Sequence, residues 1–156
     1  MTTAIDTNVI VALWDRDKTL SLAAQSGLDS ALGRGSLVMA APVFAELMAA
    51  PGRSELFLNS FCKSTGIIID WNLEEPVWRT AGQAFQAYAG RRRKQRESGP
   101  RRILADFLIG AHAWRRGYPL LTLDDHLYRA AFPDLSLVNI SPRRTFGCAT
   151  ELVVRW

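Results

Sequence analysis

Residues 4–14 read AIDTNVIVALW. Ala4 and Ile5 open a short strand, and Val9, Ile10, Leu13 and Trp14 then fall at helical spacing, so the chain turns from strand to helix within the Asp6-Thr7-Asn8 triplet. Asp6 therefore carries a carboxylate at a strand-to-helix junction inside an apolar segment. Two readings are open. Asp is a favoured helix N-cap. A carboxylate buried there also costs on the order of several kcal/mol unless it is paired or metal-bound, which points to a function.

Outward from this junction, strand and helix signals alternate. A helical stretch from Leu20 to Leu32 is ended by Gly33 and Gly35, and Leu37 to Ala41 read as a short buried strand. Pro42 starts a helix through Val43, Leu47 and Met48 that Pro51 and Gly52 break. A short helix covers Glu55 to Cys62. The β-branched run Ile67-Ile68-Ile69 is a strand ending at Asp70. Pro76 opens a helix whose apolar face is Val77, Ala81, Ala84, Phe85 and Tyr88. A helix from Ile103 to Arg116 is closed by Gly117, and Pro119–Thr122 and Leu135–Ile140 are strands. This alternation predicts an α/β fold with a mostly parallel sheet, in which functional groups gather at the carboxyl ends of the strands. Trp78, Phe85, Tyr88 and Trp114 share helical spacing with apolar neighbours and read as core.

The bulk properties are compatible with one domain. The chain has 156 residues, 48% of them hydrophobic, and 19 Lys and Arg against 15 acids give a net charge of +4. Cys62 and Cys148 lack metal or redox spacing and read as reduced thiols. No apolar run approaches the length of a membrane span, so a soluble cytoplasmic protein is expected. The sharpest change of composition is at residues 91–102, RRRKQRESGPRR, read as a basic loop or frayed helix end. Arg91, Arg92, Arg93, Lys94, Arg96, Arg101 and Arg102 are the candidate contacts to a polyanion such as RNA, against the plainer reading of a solvated loop.

Three further acids stand in settings that suit chemistry. Glu46 lies in VFAELMA, a short apolar helix without a nearby base, where an exposed face is the alternative. Asp106 lies in the first turn of ILADFLIGAHAW, where an interaction with the helix dipole is the alternative. Asp124 follows the strand in PLLTLDDH, where a plain turn is the alternative and Asp125 competes for the role. Clustered carboxylates repel, and oxygen-seeking divalent cations are the usual remedy. No nucleophile elbow, P-loop or Cys–His pair competes as a catalytic centre.

At AIDTNVIVAL, VFAELMA, RRILADFLIGAHAWRRGYPLLTLD and LYRAAFPDLSLV the sequence resembles a PIN-domain protein, and within that family a VapC-type toxin ribonuclease. The order and spacing of these segments match from residue 1 to about 142. The resemblance implies a PIN-like three-layer fold with a central sheet flanked by helices. It implies a catalytic Mg2+ or Mn2+ site with Asp6, Glu46, Asp106 and Asp124 as its metal ligands, Asp124 matching the fourth acid because it follows the strand-ending Thr122 by two positions. Asn8 and Thr122 would brace the acids. It further implies endonucleolytic cleavage of RNA, for which tRNA is a family-level expectation, a homodimer, and a cognate VapB-like antitoxin. His126 and Leu127 depart from the pattern, standing where many relatives carry an acid and an aromatic. Residues 143–156 read as a C-terminal extension packed on the same domain, in which Leu152–Val154 could add an edge strand. The competing functions are a non-catalytic PIN-like RNA-binding or scaffold domain, and an aspartyl-nucleophile phosphatase, against which the missing second acid of its motif counts.

Overall fold

The computed structural model describes residues 1–96 and 102–142. The elements run β1 (Thr2–Ile5), α1 (Thr7–Leu13), α2 (Lys18–Arg34), β2 (Ser36–Ala40), α3 (Ala41–Met48), α4 (Glu55–Thr65), β3 (Ile68–Asp70), α5 (Glu75–Gln95), α6 (Leu104–Arg116), β4 (Leu120–Thr122), α7 (His126–Ala131) and β5 (Leu137–Asn139). The strands form one sheet in the order β3-β2-β1-β4-β5, and every pairing is parallel. Helices flank this sheet, giving the α/β architecture expected from the alternating pattern.

Burial follows strand position. The interior strands β1, β2 and β4 are almost wholly buried, whereas β3 and β5 at the edges are partly exposed. The interior strands accordingly read as short continuous apolar runs. Local signals set the boundaries. Asp17 caps α2 by accepting from the Thr19 and Leu20 amides, and Ser54 caps α4 by accepting from the Phe57 amide. Gly35 ends α2 because β1 begins against it: a Cβ there would sit 1.9 Å from the Met1 carbonyl oxygen.

Helix α6 is the internal helix, with Phe107 through Ala113 all buried. It is locked to the end of β3 by a buried polar pair. His112 Nε2 lies 3.0 Å from Asp70 Oδ2, and Arg116 reaches the same oxygen at 3.2 Å. Burial works against the Asp70 charge, but hydrogen bonds from His112 and the Asn72 amide, together with the Arg116 charge, outweigh it and hold that carboxyl below its usual range. On its other side α6 meets Phe132 and Tyr128 through Gly110.

Several expectations need correction. Helix α5 continues through Arg91–Gln95, where composition suggests a loop or frayed end. Straight-chain Arg, Lys and Gln are good helix formers, and cations suit a helix C-terminus. Helix α7 has no counterpart in the periodicity, being only six residues long. Phe85 and Tyr88 do pack against the core, on Phe107, but Trp78 is 50% and Trp114 38% exposed, so neither indole is core. Residues 97–101 and 143–156 lie outside the described residues, and with them Arg101, Cys148, the C-terminal extension and its Leu152–Val154 segment. Cys62 is a buried free thiol. Among the described residues no helix is long and apolar enough to cross a membrane.

Gly110 gives a direct test of the packing. A Cβ at that position would meet the Phe132 ring at 2.4 Å and Tyr128 Cδ1 at 3.0 Å, both on buried side chains. Gly110→Ala is expected to destabilise the fold by about 1–3 kcal/mol, measured by urea unfolding, despite the better helix propensity of Ala.

Candidate active site

Strand order locates the site. Successive crossovers from β1 build the sheet toward β3, and the chain then returns to lay β4 and β5 on the other side of β1. The gap between the carboxyl ends of β1 and β4 is thus the switch point, where open α/β sheets place their ligands. Asp6 is the residue after β1, and Asp124 lies two beyond the last residue of β4.

The register joins these ends. Ala4 pairs with Leu120 and Ile5 with Leu121, and the Asp6 amide donates to the Leu121 carbonyl at 3.0 Å. The next step brings Thr122 beside Asp6, and its hydroxyl donates to Asp6 Oδ2 at 2.7 Å. The same hydroxyl accepts from Asn8 Nδ2 at 3.2 Å and from the Asp124 amide at 3.1 Å, which uses its one donor and both acceptor positions. The Asn8 carbonyl accepts from the Leu123 amide. Asp6 occupies the N-cap position of α1, yet its side chain makes no cap hydrogen bond. It is turned toward β4 instead, which removes the capping explanation for it.

The other acids arrive on helices. Glu46, on α3, is half-buried and accepts a short hydrogen bond from Thr7 Oγ1 at 2.5 Å. Asp106, at the third position of α6, reaches back to accept from the Ile103 amide at 3.2 Å, so the helix-end role weighed for it is present alongside any other. Helices α1 and α3 pack on each other, α3 packs on α6, and α1 packs on β4, so the acids sit on mutually braced elements. Asp124 accepts from the His126 amide through Oδ1 and from Arg102 Nη2 through Oδ2 at 2.5 Å. Asp125 turns away to an ion pair with Arg129 at 2.7 Å, one helical turn along α7.

The electrostatics are those of crowded, desolvated carboxylates. Burial pushes Asp6, only 4% exposed, up to about 7; the Thr122 hydrogen bond opposes this, and the charges of Asp106 and Glu46 add to it. Burial raises Glu46 too, against the Thr7 hydrogen bond, with Asp106 contributing. Burial also raises Asp106, opposed by the Ile103 amide and the Arg102 charge and reinforced by Asp124. Asp6, Glu46 and Asp106 thus lie within electrostatic reach of one another, and Asp124 within reach of Asp106. Among the described residues none of Asp6, Glu46 and Asp106 forms a salt bridge, and no group of three or more His, Cys, Asp or Glu side chains is gathered closely enough to hold a metal ion. The donor set is carboxylate oxygen throughout. That chemistry fits a hard divalent cation that keeps several waters, as Mg2+ does, better than a closed protein cage.

Sequence reasoning missed two participants. Thr7 stands between Asp6 and Asn8 in the same triplet, and only its contact with a residue 39 positions away reveals it. Tyr128, on α7, buries its hydroxyl beside Asp6 without a formed hydrogen bond, and burial together with the surrounding acids pushes that phenol well above its usual range. The segment LYRAAF carries no local sign of this. Of the basic candidates, Arg91, Arg93, Lys94 and Arg96 are exposed at the end of α5, Arg92 lies over the Tyr88 ring, and Arg102 reaches Asp124.

The raised Asp6 carboxyl predicts a pH effect in the metal-free chain. A group whose folded pKa is raised stabilises the fold where it is protonated. Its contribution is complete below about 3.8 and is lost as pH rises through about 7. Asp6→Asn is therefore expected to be more stable than the parent in EDTA at pH 8, with the difference shrinking as pH falls to 5. Urea unfolding at both values checks this, and equal differences at the two would contradict it.

A family model described as the PIN domain matches residues 3–133. Among curated proteins none matches. Solved structures similar to this chain include FitAcB from Neisseria gonorrhoeae, at 22% identity and TM-score 0.60, covering 90% of this chain and 98% of the matched one. VapBC-1 from nontypeable Haemophilus influenzae is similar at 20% identity and TM-score 0.61, with 90% and 98% covered. A toxin–antitoxin complex from Klebsiella pneumoniae is similar at 16% identity and TM-score 0.61, with 88% and 97% covered. At these identities the likeness is one of fold, and it agrees with the family match over most of the chain. The chain belongs to the PIN-domain family.

Proposed function

We propose that this chain is a metal-dependent endoribonuclease, the VapC-type toxin of a toxin–antitoxin module. One observation carries the reading: Asp6, Glu46 and Asp106, from three separate elements, lie within electrostatic reach at the switch point of the sheet, and among the described residues none of the three forms a salt bridge. Family membership supports it, since PIN domains are generally nucleases that use divalent ions. The toxin assignment is supported by the company the fold keeps, since the similar structures include VapBC and other toxin–antitoxin complexes.

In this reading Asp6, Glu46 and Asp106 hold a Mg2+ or Mn2+ ion, with Asp124 at the rim. When bound, such an ion activates water and neutralises charge that develops on a phosphate. The protein's part is to hold the acids in place. Thr122 orients Asp6, Thr7 orients Glu46, and the Ile103 amide orients Asp106. Asn8 ties the start of α1 to the end of β4, keeping Thr122 and Asp6 in register. The cationic end of α5 supplies general attraction to a polyanion, which favours RNA over a small phosphate ester. A VapB-like antitoxin that covers the acids, a homodimer, and a structured RNA such as tRNA as substrate complete the proposal.

Two experiments test it. Asp6→Asn and Asp106→Asn, assayed singly on RNA with Mg2+ or Mn2+, are expected to lose more activity than the roughly 10–100-fold that removal of an outer partner of a metal site costs. Full cleavage by both variants would exclude the mechanism. Replacing Arg91, Arg93 and Lys94 by Ser is expected to weaken RNA binding and to flatten the salt slope by roughly 0.7–0.9 for each phosphate that is no longer neutralised. An unchanged slope would assign the α5 end to solubility alone.

A further inference from the structure

The four acids of the site are not equivalent. Among the described residues, Asp6, Glu46 and Asp106 each have one oxygen engaged: Asp6 Oδ2 by Thr122, Glu46 Oε2 by Thr7, and Asp106 Oδ2 by the Ile103 amide. Their second oxygens accept no hydrogen bond from those residues. Asp124 has both oxygens engaged, Oδ1 by the His126 amide at 3.2 Å and Oδ2 by Arg102 at 2.5 Å, and its own amide is fixed by Thr122. A carboxylate with each oxygen already held, one by an amide and one by a guanidinium, must give up a charged hydrogen bond to ligate a cation through that oxygen.

Arg102 is equally particular. It precedes Ile103, the N-cap residue of α6, and its backbone amide donates to Tyr88 Oη at 2.9 Å. Tyr88 in turn packs on Phe85 and Phe107. The guanidinium is therefore held from two sides, by an aromatic anchor behind its backbone and by Asp124 at its tip. Its side chain remains 40% exposed at the mouth of the acidic cluster. A guanidinium has five donors in a planar fork, and the Asp124 contact uses the donors of one nitrogen, so others remain to meet a phosphate oxygen. Arg91, Arg93 and Lys94, at the end of α5, and Arg96, its C-cap, differ: they are exposed, and among the described residues they form no ion pair with the four acids.

We infer that Arg102 is the group of the site that binds the scissile phosphate of the RNA, and that Asp124 is its positioning residue rather than a ligand of the cation, which falls to Asp6, Glu46 and Asp106. The inference rests on the ribonuclease reading given above and assigns the parts within it. A lysine would keep the charge but not the fork, so Arg102→Lys should restore only part of what Arg102→Gln removes.

The test uses the full chain and its Arg102→Gln, Arg102→Lys, Asp124→Asn and Asp106→Asn variants, each checked for folding by circular dichroism. Mn2+ binding is measured by calorimetry without RNA, and binding of a fluorescently labelled RNA hairpin is measured in EDTA. Asp124→Asn is expected to keep its Mn2+ affinity within about threefold of the parent, whereas Asp106→Asn falls by more than about tenfold. RNA affinity should drop about tenfold in Arg102→Gln, the scale of one charged hydrogen bond, and by less in Arg102→Lys. In Asp124→Asn, KM should rise more than kcat falls. Two results would overturn the inference alone, given an active parent. One is an Asp124→Asn variant that loses Mn2+ as Asp106→Asn does. The other is an Arg102→Gln variant that binds Mn2+ more tightly with RNA affinity unchanged, which would make Arg102 a stand-in for the cation. A parent chain that neither binds Mn2+ nor cleaves RNA would overturn this inference and the ribonuclease reading together.

Discussion

Asp6 follows a buried strand, and a carboxylate at that depth needs a donor aimed at it. Thr122 supplies one from the neighbouring strand, across 116 positions of sequence. That hydrogen bond depends on the β1–β4 register: a slip of one residue would move Thr122 to the opposite face of the sheet. It also depends on Asn8, which ties the first turn of α1 to both Thr122 and the Leu123 amide. The site is in this sense a product of strand pairing. Once β1 and β4 lie side by side, the junction after each of them faces the same crevice, and α3 and α6 need only deliver their acids to it.

The charge balance of the molecule is uneven in a way that separates structure from chemistry. Asp70 is also an acid at the end of a strand, and by position it resembles Asp6. Its surroundings answer it with His112 and Arg116, and its carboxyl is held low. Asp6, Glu46 and Asp106 receive hydroxyls and an amide but no salt bridge among the described residues, and theirs are held high. The first arrangement secures α6 to the sheet. The second leaves crowded carboxylates that the described residues offset only in part, through Arg102 near Asp106, which is an unfavourable state for their charged forms.

This difference also marks what could be read from sequence. Strand-then-helix alternation was legible because buried parallel strands are apolar runs and the helices carry periodic apolar faces and recognisable caps, as at Asp17 and Ser54. The position of Asp6 was legible for the same reason, since a charged residue stands out where a strand ends. Helix α7 was too short to show a period. The continuation of α5 through its basic end was obscured by composition, because arginine runs look like loops while their helix propensity is high. Thr7, Tyr128 and the pairing of Arg102 with Asp124 depend on contacts between distant segments, for which no local pattern exists. Asp124 and Asp125 were separable only by spacing to Thr122; both form ion pairs, Asp124 with Arg102 beside Asp106 and Asp125 with Arg129 along α7.

Rigid placement of mutually repelling groups has a thermodynamic consequence. Asp6 sits at the start of α1, Glu46 on α3 and Asp106 on α6, and α3 packs on both α1 and α6, so the backbones that carry the acids cannot move apart without disturbing the core. In the proposed metal-binding reading, repulsion that the fold tolerates in the free chain would be relieved by a bound cation, and that relief would add to the intrinsic affinity of the oxygen donors. By linkage, any ion that binds the folded chain and not the unfolded one stabilises the fold in proportion to the logarithm of its concentration. Metal affinity and fold stability are then two views of one quantity. A substitution that removes charge from the cluster can strengthen the free chain while weakening the loaded one, so stability of the empty protein is a misleading guide to the health of this site.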